Sequence, residues 1–109
     1  MAYYLVRARP RRERLNELWQ RLESHDIIVM QPFGRALDDG LRRARLDHDG
    51  MAVWEEEDYC SPPLAQERAA VLDDYFDDLT VERVARGEGW AAIDALPGMW
   101  TLIQRTASA

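Results

Sequence analysis

Leu41 to Asp58, LRRARLDHDGMAVWEEED, is the stretch that decides how this 109-residue chain folds. Asp49-Gly50 stands between two runs of strand character, and a type I′ hairpin turn needs positive φ at both central residues, which Asp-Gly supplies. With those two residues in the turn, His48 pairs with Met51, Leu46 with Val53, Ala44 with Glu55 and Arg42 with Glu57. Ala44, Leu46, Met51 and Val53 then share one face. The other face pairs Arg43 with Glu56 and Arg45 with Trp54, an ion pair and a cation–π contact across the strands. A helix over residues 36–46 competes for part of the stretch, but Gly40 interrupts it and its apolar positions, Leu37, Leu41 and Ala44, are sparse. The sequence therefore predicts a hairpin.

Upstream, Tyr3 to Ala8 is rich in β-formers, with Tyr4, Val6 and Ala8 on one face and Tyr3, Leu5 and Arg7 on the other. Pro10 suits the start of a helix, where its missing N–H does no harm. From Arg11 to Ser24, Leu15, Leu18, Trp19 and Leu22 recur at i, i+3, i+4 and i+7, the stripe of an amphipathic helix that packs as core. Ile27 to Met30 is a continuous apolar run of buried-strand type, and residues 34–40 read as a loop. Downstream, Ser61-Pro62-Pro63 leads into a helix that reaches Leu79, with Leu64, Val71, Leu72, Tyr75 and Phe76 inward and Asp73, Asp74, Asp77 and Asp78 outward. Thr80 to Ala85 reads as a strand, Gly87-Glu88-Gly89 as a turn, Trp90 to Leu96 as a short helix and Met99 to Ile103 as a terminal strand.

The order strand, helix, strand, strand, helix, strand over residues 3–85 resembles the ferredoxin-like α+β arrangement. That resemblance implies an antiparallel sheet with two helices packed on one face, here in a single domain, residues 1–109, with a short C-terminal extension. In a chain of this length it is similar to the dimeric α+β barrel group, where two such sheets close against each other. The group includes small enzymes acting on aromatic or lactone substrates, haem-handling enzymes and proteins without known activity. The likeness is one of element order and transfers no catalytic residue.

Apolar residues make up 47% of the chain and charged residues 31%, as in an ordinary folded protein. No apolar run approaches a membrane span and the N-terminus lacks a signal-peptide stretch, so a cytoplasmic location is expected. All 14 basic residues are arginine, the coding bias of a GC-rich, bacterial genome. Residues 1–54 carry a net +2 and residues 55–109 a net −8. Overall acidity argues against nucleic acid, whose affinity comes largely from phosphate neutralisation. Opposed charge on the two halves, with four tryptophans and four tyrosines, instead predicts a homodimer or a protein partner.

Candidate site residues are few. Asp47, Asp49, Gly50 and Glu56 mimic part of a calcium-binding EF-hand loop, but Arg45 occupies its first ligand position and the flanks read as strands, so calcium is rejected. Two histidines and one cysteine are too few for a structural zinc site, so neither metal nor cofactor is expected. Cys60 excludes an internal disulfide and reads as an inert thiol. His25 and His48 are the candidates for general acid–base work, with Arg7 and Arg9 as ligand-binding partners. Glu55-Glu56-Glu57-Asp58 is expected to answer Arg42 and Arg43 and to blunt an edge. Two functions follow: a non-catalytic dimerising or partner-binding module with Arg43, Arg45, Trp54 and Glu56 at its interface, or a small enzyme or ligand-binding protein with a pocket between sheet and helices.

Overall fold

The computed structural model describes residues 2–108, with side chains as far as Ile103. Strand β1 (Ala2–Pro10) opens it, followed by a 3₁₀ turn (Arg12–Arg14) and helix α1 (Leu15–Glu23). The expected stripe is there: Leu15, Leu18 and Leu22 are buried and Trp19 packs against the same core. Ile27 to Met30 is not a strand. It lies among turns, with Ile27 buried and Val29 67% exposed. Both hydrogen-bonding edges of β1 are taken by β3 and β4, introduced below, so no place beside it remains for that run.

Residues 34–40, expected as a loop, belong to helix α2 (Gly34–Arg42), so the competing helix wins the first half of Leu41–Asp58. Its apolar positions suffice because Leu37 and Leu41 are fully buried. Gly40 does not interrupt α2; it lets the helix approach the sheet. A Cβ there would lie 2.7 Å from Cδ1 of the Trp54 ring.

The hairpin survives in shorter form, β2 (Arg45–Leu46) against β3 (Ala52–Asp58), with its register moved by one residue. Arg45 pairs with Val53 and Leu46 with Ala52, so the expected pairs Arg43–Glu56 and Arg45–Trp54 do not form. The cause is Asp47. Its carboxylate accepts the amides of Asp49 (2.9 Å) and Met51 (3.0 Å), and its carbonyl accepts the amide of Gly50 (3.0 Å). This closes a three-residue loop, His48 to Gly50, with Gly50 at φ +77°, in place of a two-residue turn. A slip of one residue exchanges the faces of a strand, so Trp54, not Val53, points into the core.

A helical segment at residues 65–75, α3, follows, with a π-helical turn (Arg68–Leu72) between the short turns Ala65–Glu67 and Asp73–Tyr75. Strand β4 (Phe76–Val84) takes Phe76 and Leu79, which were expected in the helix. Then come α4 (Glu88–Ala92) and α5 (Met99–Ser108); the latter replaces the expected terminal strand. The sheet is antiparallel throughout, in the order β2-β3-β1-β4. Three helices, not two, contribute to the core on one face: Leu18, Leu41 and Leu72 meet Val6, Ala8 and Trp54. On the other face α4 lies against β3 and β1. Helix α5 is tied to α2 by Trp100, whose Nε1 donates to the Leu41 carbonyl at 2.6 Å, and to α1 by a tilted Trp19–Trp100 contact at 5.0 Å.

Two substitutions check this packing. Leu18→Ala is expected to cost about 2–5 kcal/mol in urea unfolding, through lost transfer energy and a cavity. Gly40→Ala is the sharper case, because alanine gains about 1 kcal/mol in helix propensity while overpacking costs about 1–3 kcal/mol. A lower melting temperature is expected; a higher one would show that the Trp54 ring is free to move.

Candidate functional site

Glu56 and Asp58 are two residues apart on β3, so both leave the sheet on the face that carries Trp54 and the core. That places two carboxylates inside the molecule, 2% and 4% exposed. Glu67 joins them from the first turn of α3. It is completely buried and falls between Leu64 and Val71 on the apolar stripe. The π-helical turn begins at the next residue, a local widening common at functional sites.

The partners of these acids are unevenly distributed. Asp58 Oδ2 accepts the amides of Leu64 (2.6 Å) and Cys60 (3.1 Å), which folds the connection to α3 back over it. Glu56 Oε1 accepts Nε1–H of Trp54 at 3.0 Å. Glu67 Oε1 lies 3.9 Å from Sγ of Cys60. Glu56 Oε2 and Glu67 Oε2 receive no N–H or hydroxyl hydrogen bond among the described residues, and the carboxyls of Glu56, Glu67 and Asp58 pair with one another only through shared protons. Buried acceptors left in this condition cost free energy, since water no longer serves them.

Burial pushes the Glu56 carboxyl well above its usual range, and the neighbouring Glu67 and Asp58 add to the rise against the opposing Trp54. Burial likewise raises Glu67. For Asp58 burial also acts upward, but the amide of Leu64, the Glu67 carboxyl and the amides of Cys60 and Tyr59 outweigh it, and its pKa falls. Negative charge therefore settles on Asp58, and the proton settles deepest, on Glu56. At Cys60 a backbone hydrogen bond at Gln66 favours the thiolate, yet burial and Asp58 together raise the thiol.

A cavity of about 360 Å³ opens beside the centre, bounded by Asp58 and Cys60 with Pro32, Tyr59, Ala65 and Gln66. A second hollow, about 250 Å³, holds Arg42, Arg43 and Arg45 near Trp90 and Trp100. Its cations are already engaged. Arg42 bonds Asp38 and the Leu22 carbonyl, Arg43 bonds Asp39 and stacks 4.0 Å from the Trp90 centroid, and Arg45 bonds the Leu96 carbonyl.

The residues singled out in the sequence are dispersed. His25 and His48 occupy separate exposed turns. Arg7 holds Asp47 (2.8 Å) and Asp49 (3.0 Å) on either side of His48, and Arg9 holds Asp78 (3.2 Å). Trp54 and Glu56 are buried inside the chain, whereas Arg43 and Arg45 stay near α4. Of these eight residues, Glu56 and Trp54 belong to the buried centre; Asp58, Cys60 and Glu67 complete it. A signal for Glu67 was present, because an acid interrupts the apolar stripe between Leu64 and Val71. No family model, curated protein or solved structure matches this chain.

The raised pKa of Glu56 has a consequence for stability. A carboxyl raised in the folded state binds more protons folded than unfolded, so stability is full below the ordinary carboxyl range and falls as pH rises through the folded value. Urea unfolding of the native protein should therefore show stability that declines as pH rises above the ordinary carboxyl range. Glu56→Gln, which keeps an acceptor for Trp54 and cannot ionise, should flatten that decline. Parallel pH profiles for the two proteins would show that Glu56 titrates normally.

Proposed function

We propose that the protein is a small ligand-binding protein of ferredoxin-like architecture, with its binding centre at Glu56, Asp58, Cys60 and Glu67 between the sheet and α3. The strand order β2-β3-β1-β4, antiparallel throughout, supports the architecture. The observation that carries the function is the buried carboxyl cluster, in which Glu56 Oε2 and Glu67 Oε2 meet no N–H or hydroxyl donor while Asp58 and Cys60 line an open cavity. Asp38 Oδ2 in α2 is likewise without a partner, but there the other oxygen is paired with Arg42, whereas no arginine reaches Glu56 or Glu67 among the described ion pairs. A carboxyl cluster that reaches a cavity through Asp58 and Cys60 is suited to a ligand that brings positive charge.

The dimerising module suggested by composition has less support. Trp54 and Tyr75 are buried and Trp100 nearly so, and among the described residues the large apolar side chains left exposed are Val29 and Tyr59. The sheet face that would meet a second sheet in a barrel-type dimer carries α4.

Binding centres commonly keep residues that the fold would be more stable without. In Glu67→Gln the new amide can donate to neighbouring carboxylates while like charge is removed. Its melting temperature is expected to rise by about 4–8 °C, the shift produced by about 1 kcal/mol in a chain of this size. An unchanged or lower melting temperature would return the cluster to the fold and sink the binding function.

A further inference from the structure

We infer that Asp58, Cys60 and Glu67 form a site for one divalent metal ion of the zinc class, with a coordination position left open to the cavity. The inference rests on the ligand-binding function proposed above and names its ligand. One carboxylate oxygen from each acid and the Cys60 sulfur all lie within 4.8 Å of one another. A tetrahedral zinc ion, with bonds of about 2.0–2.3 Å, needs its ligands roughly 3.3–3.8 Å apart. Cys60 Sγ and Glu67 Oε1, at 3.9 Å, are already close to that spacing. Contraction by up to about 1.5 Å completes the set.

The kind of donor narrows the choice of ion. Two carboxylates with one thiol suit a borderline cation, whereas calcium and magnesium take oxygen alone. Three protein ligands with one free position is the pattern of zinc sites that engage a further molecule; structural sites close all four. Here the free position would face the hollow beside Pro32, Tyr59 and Gln66.

The surroundings supply an independent reason to expect a cation. Glu67 has no exposed surface, and its Oε2 lacks a donor among the described residues. A cation held by the Glu67 carboxylate would bring positive charge where its side-chain partners are the Glu56 and Asp58 carboxyls and the Cys60 thiol. The outer contacts also fit. The amides of Leu64 and Cys60 fix the Asp58 carboxylate through Oδ2, and Trp54 fixes Glu56 behind Glu67. Such second-layer bonds orient metal ligands and raise affinity. Asp58 closes a strand and Glu67 opens a helix, so two of the three ligands stand on regular structure.

The test is titration of the chelator-treated protein with Co²⁺, followed by displacement with Zn²⁺. One equivalent of cobalt is expected to bind with a thiolate-to-metal charge-transfer band in the near ultraviolet, and zinc should remove that band. Cys60→Ser should abolish the band. Glu67→Gln should weaken zinc binding by more than the ~10–100-fold typical of losing an outer-layer contact. Cys60 is only partly buried, so the serine variant keeps the test decisive if Glu67→Gln fails to fold. Absence of cobalt uptake, uptake without the band, or affinity unchanged in the two variants would each overturn the metal site. If Glu67→Gln melts higher while the native protein takes up no metal, the ion is wrong and the binding centre stands. If it also melts lower, both fail.

Discussion

Strand β3 carries four consecutive acids, Glu55-Glu56-Glu57-Asp58, through the interior of the sheet, beside β1 along its whole length. Alternation sends Glu56 and Asp58 to one face and Glu55 and Glu57 to the other, so charge must be satisfied on both. On the second face the answer is α4. Glu55 accepts the amides of Gly87 (2.9 Å) and Gly89 (2.8 Å), holding the start of that helix with its carboxylate where the helix dipole favours negative charge. The segment after β4 is thus more than an appendage, because it covers an acid that the sheet would otherwise leave half-desolvated. On the helix face the answer is incomplete, and that incompleteness is the candidate site.

The same topology resolves the lopsided charge of the sequence. Antiparallel pairing of β1 with β4 lays the arginine-rich N-terminal segment along the aspartates that follow α3. Arg9 meets Asp78, and Arg11 meets Asp77 at 2.8 Å. These pairs are exposed and contribute little net stability, but they consume within one chain the opposite charges that had suggested contact between two.

Legibility followed the length of the signal. The α1 stripe spans two turns with four apolar residues at helical spacing, and it was read correctly because no strand could imitate it. The hairpin was placed correctly but not registered, since one hydrogen-bonding side chain, Asp47, decides between a loop of two residues and one of three. At β4 a strand did imitate a helix. The register shifts between Arg7 and Arg9, opposite Asp78 at φ +54°, and adds a residue between Phe76 and Leu79. Their spacing of three then continued the stripe of the preceding helix. The centre itself was hidden for a related reason. Read as an outer strand, the acid run looks solvated; only with β1 on its flank does every second acid become interior.

What remains is why a fold would keep three carboxyls where two of their oxygens meet no N–H or hydroxyl donor. Apolar residues of similar volume usually replace buried charge at no cost or with a gain in stability, so stability alone does not retain such a group. Nor does this cluster stand on a mobile loop that could shed the strain by opening. Glu56 lies within a strand, Asp58 ends it, and Glu67 opens a helix whose next turn is widened. On the proposed ligand-binding function, regular elements that converge on this cluster would be a site prepared in advance. The reorganisation a ligand would otherwise impose would then be built into the folded chain, and binding would recover interactions that folding left unmade.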